Sequence, residues 1–403
     1  MRILTVGNRY PPWSLGGYET TWASTVAALR AAGHPTTVLT TLPDPTDRTV
    51  DGPAPDADVR RELRWYWRAH AFPRRSLRAC VALERGNAAV LATAVRAWRP
   101  DAVLWWAMGG MSLSLLEQAR RAGLPAVAAV GDDWPGYGPR VDAWSRRWRT
   151  PLGRVAAPAA ERLAGVPTRL DLDRAARWTF VSAHALAAAR AGGWRLPGAV
   201  VHHPGVDANR FRLSPAPPWQ WRLLYCGRID PRKGIDTAVR ALAHLPPAAT
   251  LAIHGDGDGA HAGALRALAD RLGVGERVRF SATDHAGVPA ALAESDALVF
   301  PVTWEEPWGL VPLEAMSSGR PVVAAASGGG PAEYLEPERN CLGFAPGNAA
   351  GLAAAIRRLA GDETLRAALV RGGTATAGRL TERAFVEGLM AELQGAVAAG
   401  AMR

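Results

Sequence analysis

Lysine is nearly missing from this sequence. Of 47 basic residues one is a lysine, Lys233, and all the others are arginine. A single surviving ammonium, a compact charge on a flexible stem, points to a position that a planar guanidinium fork does not serve. Cysteine is also scarce. Cys80, Cys226 and Cys341 stand in unrelated contexts with no CxxC spacing, which argues against a disulfide framework or a zinc site and leaves three reduced core thiols. No apolar run approaches the roughly 18 residues that a spanning helix needs. Met1 to Gly7 runs straight into a strand-like stretch without a signal-peptide pattern, so the expected location is the cytoplasm. A dinucleotide fingerprint is missing too, because Gly7-Asn8-Arg9 after the first strand lacks the GxGxxG spacing.

What is present fits a large α/β protein. A chain of 403 residues exceeds one ordinary core and suits two domains of about 200 residues each. With 48% hydrophobic and 21% charged residues, disordered and collagenous classes drop out. The net charge of +10 admits nucleic acid, anionic lipid or a phosphate-bearing substrate as partner. Short runs rich in Val, Ile, Leu and Trp alternate with helix-like stretches, the pattern of parallel strands joined by crossover helices. Strands are predicted at 2–6, 36–41, 101–106, 126–130, 178–182 and 199–202, and in the second half at 222–226, 250–254, 277–280, 297–301 and 321–325. Between the halves, Pro204 to Trp219 is rich in Pro and Gly and reads as a linker. The cleft beside it is the expected ligand site. The tail from Thr381 to Val397 is a helical pattern with no following strand.

Two segments interrupt this rhythm. Arg60–Arg78 and Arg140–Arg154 mix arginine with Trp and Tyr, a composition that suits anionic surfaces or stacked rings and equally suits a solvated helix face whose aromatics reach the core.

Three loops carry candidate chemistry. Gly227-Arg228-Ile229-Asp230-Pro231-Arg232-Lys233-Gly234 lies between a strand and a helix. Gly227 permits a sharp turn and close approach, while Arg228 and Lys233 are able to converge on one anion at a helix start. Glu306-Pro307-Trp308-Gly309-Leu310-Val311-Pro312-Leu313-Glu314 follows another strand. Its prolines and glycine postpone a helix to about Val311 and place Glu314 in the first turn. Carboxylates there suit sugar hydroxyls, and the free amides of Gly309, Leu310 and Val311 suit phosphate oxygens. Gly16-Gly17, in the loop after the first strand, opens backbone amides at the next helix start. Asp256-Gly257-Asp258 has the look of an acidic metal pair but sits in a Gly-rich turn and reads as a turn.

Taken together these residues resemble the retaining glycosyltransferases of family 4. The likeness also takes in Gly33-His34, Pro204-Gly205-Val206-Asp207 with Phe211, Gly319-Arg320-Pro321-Val322-Val323, Gly328-Gly329-Gly330 and Glu333. The resemblance implies the GT-B fold, two facing Rossmann-like doubly wound parallel-sheet domains with a cleft between them. On this reading residues 1–205 form an acceptor-binding domain, 206–220 a linker, 221–380 a domain for a nucleoside diphosphate sugar donor, and 381–403 a helix returning toward the first domain. It further implies catalytic roles for Arg228, Lys233 and Glu306. Arg228 and Lys233 would hold the donor diphosphate, Glu306 the donor sugar and Glu314 the ribose, with Gly16, Gly17, Gly227, Trp308, Gly309, Leu310 and Val311 completing the donor site. The activity implied is hexosyl or N-acetylhexosaminyl transfer with retention to a hydroxyl acceptor (a glycan, a lipid-linked sugar or a secondary metabolite), without metal or cofactor.

The sequence departs from the family pattern at one notable place. Many members carry a histidine where Val130-Gly131-Asp132-Asp133-Trp134 has Gly131, which leaves Asp132, Asp133 and Trp134 as candidate acceptor contacts. Two rival readings stay open: a nucleotide-sugar epimerase on the same fold, and a basic protein that binds membrane or nucleic-acid surfaces. For the transferase no nucleic-acid partner is expected, while the two Arg/Trp segments leave room for peripheral contact at the inner membrane face.

Overall fold

The computed structural model describes residues 1–13, 16–43, 56–68, 71–215, 217–281 and 285–401. Ser14 and Leu15 of the first loop, Ala69 and His70 of the first Arg/Trp segment, Ala216 of the linker and the last two residues of the tail lie outside the described residues. The chain divides into two units, Met1–His202 with Val386–Arg403, and His203–Phe385.

The first unit is built on seven parallel strands: β1 (Ile3–Val6), β2 (Thr36–Thr41), β3 (Val59–Leu63), β4 (Ala102–Trp105), β5 (Ala126–Val130), β6 (Arg177–Phe180) and β7 (Val200–Val201). Their order is β3-β2-β1-β4-β5-β6-β7. The second unit has six: β8 (Arg222–Cys226), β9 (Thr250–His254), β10 (Val278–Ser281), β11 (Ala297–Phe300), β12 (Val322–Ala325) and β13 (Leu342–Phe344), in the order β10-β9-β8-β11-β12-β13. Helices cover both faces of such sheets, so the central strands are apolar end to end, and every residue of β1, β4, β5, β11 and β12 is buried.

Two strands fall where none was anticipated, and both are sheet edges. β3, with the sequence Val-Arg-Arg-Glu-Leu, opens the Arg60–Arg78 segment. Paired on one side only, it needs no continuous apolar run. β13 is a three-residue strand interrupted by Gly343.

Several aromatics of the two Arg/Trp segments turn inward, whereas Phe72 is exposed. Trp65 and Tyr66 are buried, and Trp144 is fully buried with its indole N–H donating to Pro167 O at 2.7 Å. The guanidinium of Arg9 lies 5.1 Å and 5.0 Å from the rings of Trp65 and Trp67. The three cysteines are free and buried.

The Pro-rich stretch before β8 is anchored within the second unit by Arg320, which is 2% exposed. Its fork donates to Leu292 O at 2.8 Å and Ala293 O at 3.1 Å, near the end of the helix Val288–Glu294, and to Ser214 O and Oγ at 3.1 and 2.8 Å. A buried guanidinium is tolerable only when its donors are met, and here carbonyls and the Ser214 hydroxyl, rather than a carboxylate, meet them.

Candidate functional site

In open parallel sheets a ligand binds beyond the carboxyl ends of the strands, where the strand order reverses. In the second unit that reversal lies between β8 and β11, which pair directly. The loop leaving β8 is Gly227 to Gly234, and the loop leaving β11 runs from Pro301 to the helix Val311–Ser317. Topology alone thus brings together the two segments that the residue chemistry singled out.

The two loops touch along their backbones. Gly234 closes the short turn Pro231–Lys233 with φ of 64°, and a side chain there would put its Cβ 2.0 Å from Pro301 O, so only glycine fits. Thr303 donates its N–H and its hydroxyl to Arg232 O at 3.0 and 3.1 Å. With the loops so joined, Lys233 Nζ donates to Glu306 Oε2 at 2.7 Å, and both side chains are largely shielded. The same carboxylate oxygen accepts from the Trp304 indole N–H at 2.8 Å. Arg232 stacks over the Trp304 ring at 4.4 Å. Behind Glu306 runs the triglycine loop: Gly330 N–H donates to Glu306 O at 2.8 Å, and a Cβ at Gly329, whose φ is 73°, would lie 2.4 Å from that carbonyl.

Arg228 meets a carboxylate of its own. Its Nη2 lies 3.1 Å from Asp230 Oδ2, which Arg232 also approaches at 3.1 Å. Burial pushes the Asp230 carboxyl up, but hydrogen bonds from Arg232 and the charges of Arg228 and Arg232 outweigh it and hold the pKa at about 2. The rim thus carries three cations, Arg228, Arg232 and Lys233, against two carboxylates. Backbone geometry at Gly227, with φ of 143°, again requires glycine.

Glu314 sits in the first turn of Val311–Ser317, as expected from its spacing to Pro312. It is 4% exposed, and Oε1 is 2.8 Å from His285 Nε2. Its other oxygen is buried and meets no donor among the described residues. A buried acceptor left unmatched costs on the order of 1–3 kcal/mol, so this oxygen favours an incoming hydroxyl. His285 was not legible as its partner: it lies 29 residues away on a short turn whose own sequence carries no motif. Gly309, with φ of 84°, holds its carbonyl on the Tyr334 hydroxyl at 2.5 Å. Leu310 and Val311 follow at the start of the helix.

Trp308, expected against the donor, packs its indole within the second unit. It is 4% exposed, stacked on His203 at 4.5 Å and 11°, close to Tyr334, and bonded through its N–H to Pro204 O at 2.8 Å. Its ring is framework. The acidic turn after β9 is likewise occupied: Asp256 Oδ1 accepts from Gly257 N and Asp258 Oδ1 caps the helix Gly259–Arg271.

In the first unit, Gly16 caps and Gly17 starts the helix Gly17–Ala31, and among the described residues no atom beyond their chain neighbours lies within 4 Å of where a Cβ would be. The amide of Gly16 is already bonded to Glu19 Oε2 at 3.0 Å. Beyond β5, the place of Gly131 is explained by Tyr18: a Cβ there would lie 2.5 Å from the Tyr18 ring, whose hydroxyl donates to Ala129 O. Asp132 Oδ1 accepts from Trp134 N–H at 3.1 Å, and Oδ2 lies 3.4 Å from the Tyr137 hydroxyl. Burial, aided by the neighbouring charges of Asp133 and Glu19, pushes the Asp132 carboxyl up to about 7. Asp133 is exposed. Trp134, a candidate acceptor contact, is fully buried, edge-on to Trp194 and tilted against Trp178.

Residues 209–376 match the family described as glycosyl transferases group 1. Over 399 residues the chain is 30% identical to glycogen synthase of Mycobacterium tuberculosis, covering 94% of this chain and 90% of that protein. Two solved structures superpose over nearly the whole length. Sucrose-phosphate synthase from Thermosynechococcus elongatus gives a TM-score of 0.75 at 22% identity, covering 99% of this chain and 100% of that one. Anabaena HepE in complex with UDP-glucose gives 0.67 at 21% identity, covering 98% and 100%. The fold is GT-B, with two Rossmann-like parallel-sheet units. The chain belongs to the group 1 glycosyltransferases. Its activity is glycosyl transfer.

Proposed function

We propose that the protein moves a sugar from a nucleoside diphosphate sugar to a hydroxyl acceptor with retention of configuration and without a metal ion. The observation that carries this reading is the meeting of Lys233 and Glu306 at the strand-order reversal of the second unit, 2.7 Å apart. Arg228 and Lys233 hold the diphosphate, Glu306 accepts from the donor sugar hydroxyls, and the unmatched oxygen of Glu314 accepts from the ribose. The UDP-glucose bound by the structurally similar HepE supports a donor of this class.

Transfer occurs by front-face displacement with no covalent enzyme intermediate. As the bond from the anomeric carbon to the phosphate oxygen breaks, negative charge builds on the leaving diphosphate. Arg228 and Lys233, with the amides at the start of Val311–Ser317, are placed in advance to stabilise it. Two cations at the leaving group supply the charge that a divalent ion supplies elsewhere. Donor binding is tested by thermal shift with a panel of nucleoside diphosphates and their sugars, because a bound donor raises the melting temperature by mass action. Incubation of the stabilising donor with acceptors, followed by NMR of the product anomer in the presence of EDTA, tests the rest. An inverted product, activity restored only by Mn²⁺, or isomerisation of the donor in the absence of any acceptor contradicts the reading.

A further inference from the structure

Only seven large apolar side chains are exposed among the described residues, and the three most exposed share one helix. Leu152, Val155 and Leu163 on Pro151–Ala164 are 84%, 82% and 84% exposed. At 100° per residue they fall with Ala156 and Ala159, both also exposed, within an arc of about 100°. The opposite face is the one that packs: Ala157 and Ala164 are buried, and Glu161 is bonded to Arg121 and to Thr168 N. The helix is therefore amphipathic the wrong way round, with small residues against the protein and its large apolar residues toward solvent. Scattered exposed leucines need no explanation, whereas a continuous stripe does.

The helix and the segment that leads into it carry exposed, unpaired arginines. Arg140, Arg146, Arg149, Arg154 and Arg162 have no carboxylate partner among the described residues. The nearby acids are spent, Asp142 buried on the amides of Leu113, Trp144 and Ser145, and Glu161 on Arg121. Arg140 and Arg149 also line a recess of about 540 Å³ with Trp194, Asp171 and Asp173, and these two acids are paired with Arg174 and Arg195.

From this we infer that the outward face of Pro151–Ala164 docks on a lipid bilayer bearing anionic headgroups. The apolar stripe enters the headgroup boundary while the arginines beside it meet lipid phosphates, the arrangement of an interfacial helix. A second copy of the chain is a poorer occupant, because a two-fold pairing of this face sets the same unpaired arginines against one another with no carboxylate to answer them. A nucleic acid has no use for the stripe. The stripe belongs to the first unit and Lys233 and Glu306 to the second, so this inference does not rest on the proposed donor.

The test is flotation of the full-length protein with vesicles of phosphatidylcholine alone or mixed with phosphatidylglycerol, at low and high salt. Binding to the mixed vesicles that weakens with salt is expected. The triple substitution Leu152→Ser, Val155→Ser, Leu163→Ser should cut the bound fraction about tenfold or more. Arg149→Glu with Arg154→Glu should abolish the preference for anionic lipid. All five side chains are exposed or flanking, so thermal melting should show both variants folded. Equal flotation of wild type and triple variant, no flotation at all, or a wild-type dimer by analytical ultracentrifugation that the triple variant converts to a monomer would each overturn the inference.

Discussion

Lys233 Nζ and Glu306 Oε2 stand 2.7 Å apart although 73 residues separate them, because neighbouring parallel strands deliver their loops to one point. Without an anion present the ammonium is held by the carboxylate. On the proposed function, a diphosphate would compete for that ammonium and free Glu306 to accept from hydroxyls.

Lys233→Ala and Arg228→Ala should each lower kcat about 10²-fold or more, the usual size for a lost donor to developing transition-state charge. Lys233→Arg should restore little, because the fork does not reproduce a compact ammonium set between Glu306 and the Trp304 ring. Steady-state kinetics with the donor found by thermal shift provides the check. Near-normal turnover in a folded Lys233→Ala protein would remove the phosphate assignment.

Trp308→Ala should destabilise the second unit by about 3–5 kcal/mol, the range for truncating a buried aromatic. The variant loses the stack on His203 and the bond to Pro204 O together. Trp308→Phe keeps most of the ring volume and should cost far less. Denaturant melts of the two variants distinguish this framework role from direct donor contact, which would appear in KM at unchanged stability.

Gly131→Ala should destabilise by roughly 1–3 kcal/mol, since its Cβ enters the Tyr18 ring. The effect should largely vanish on a Tyr18→Ala background, a non-additivity that a double-mutant cycle measures. Gly131→His should likewise be tolerated only once Tyr18 is truncated.

The pH dependence of stability follows from Asp132. Its folded pKa, about 7, is above that of an unfolded carboxyl near 4, so between those values the folded state keeps a proton that the unfolded state has lost. Stability from this group is greatest below about pH 4 and declines as pH rises to about 7. Glu84 and Asp142, buried close together, are both pushed up by burial first and act with the same sign. Asp132→Asn should flatten the decline in melting temperature over that range; an unchanged profile would place the carboxyl in water.

Much of this arrangement was legible because parallel strands are written as apolar runs. The ends of β8 and β11 could be located from Arg222–Cys226 and Ala297–Phe300 alone, and with them the two loops. What escaped was whatever depends on side chains meeting at long range. β3 is polar because an edge strand is half solvated, so Val-Arg-Arg-Glu-Leu gave no strand signal. The pairing of His285 with Glu314, the Tyr18 ring over Gly131 and the inward turn of Trp134 and Trp308 are consequences of packing between segments distant in sequence. The outward stripe of Pro151–Ala164 was missed for a different reason. Its periodicity matches that of a core helix, and only burial distinguishes the face that packs from the face that does not.

The most direct measurement is a crystal structure of the protein with a nucleoside diphosphate sugar that stabilises it. The pyrophosphate is expected within about 3 Å of Lys233 Nζ and of the Arg228 guanidinium, with a ribose hydroxyl on Glu314 Oε2. A pyrophosphate bound away from both cations, with Lys233 still closed on Glu306, would contradict the account.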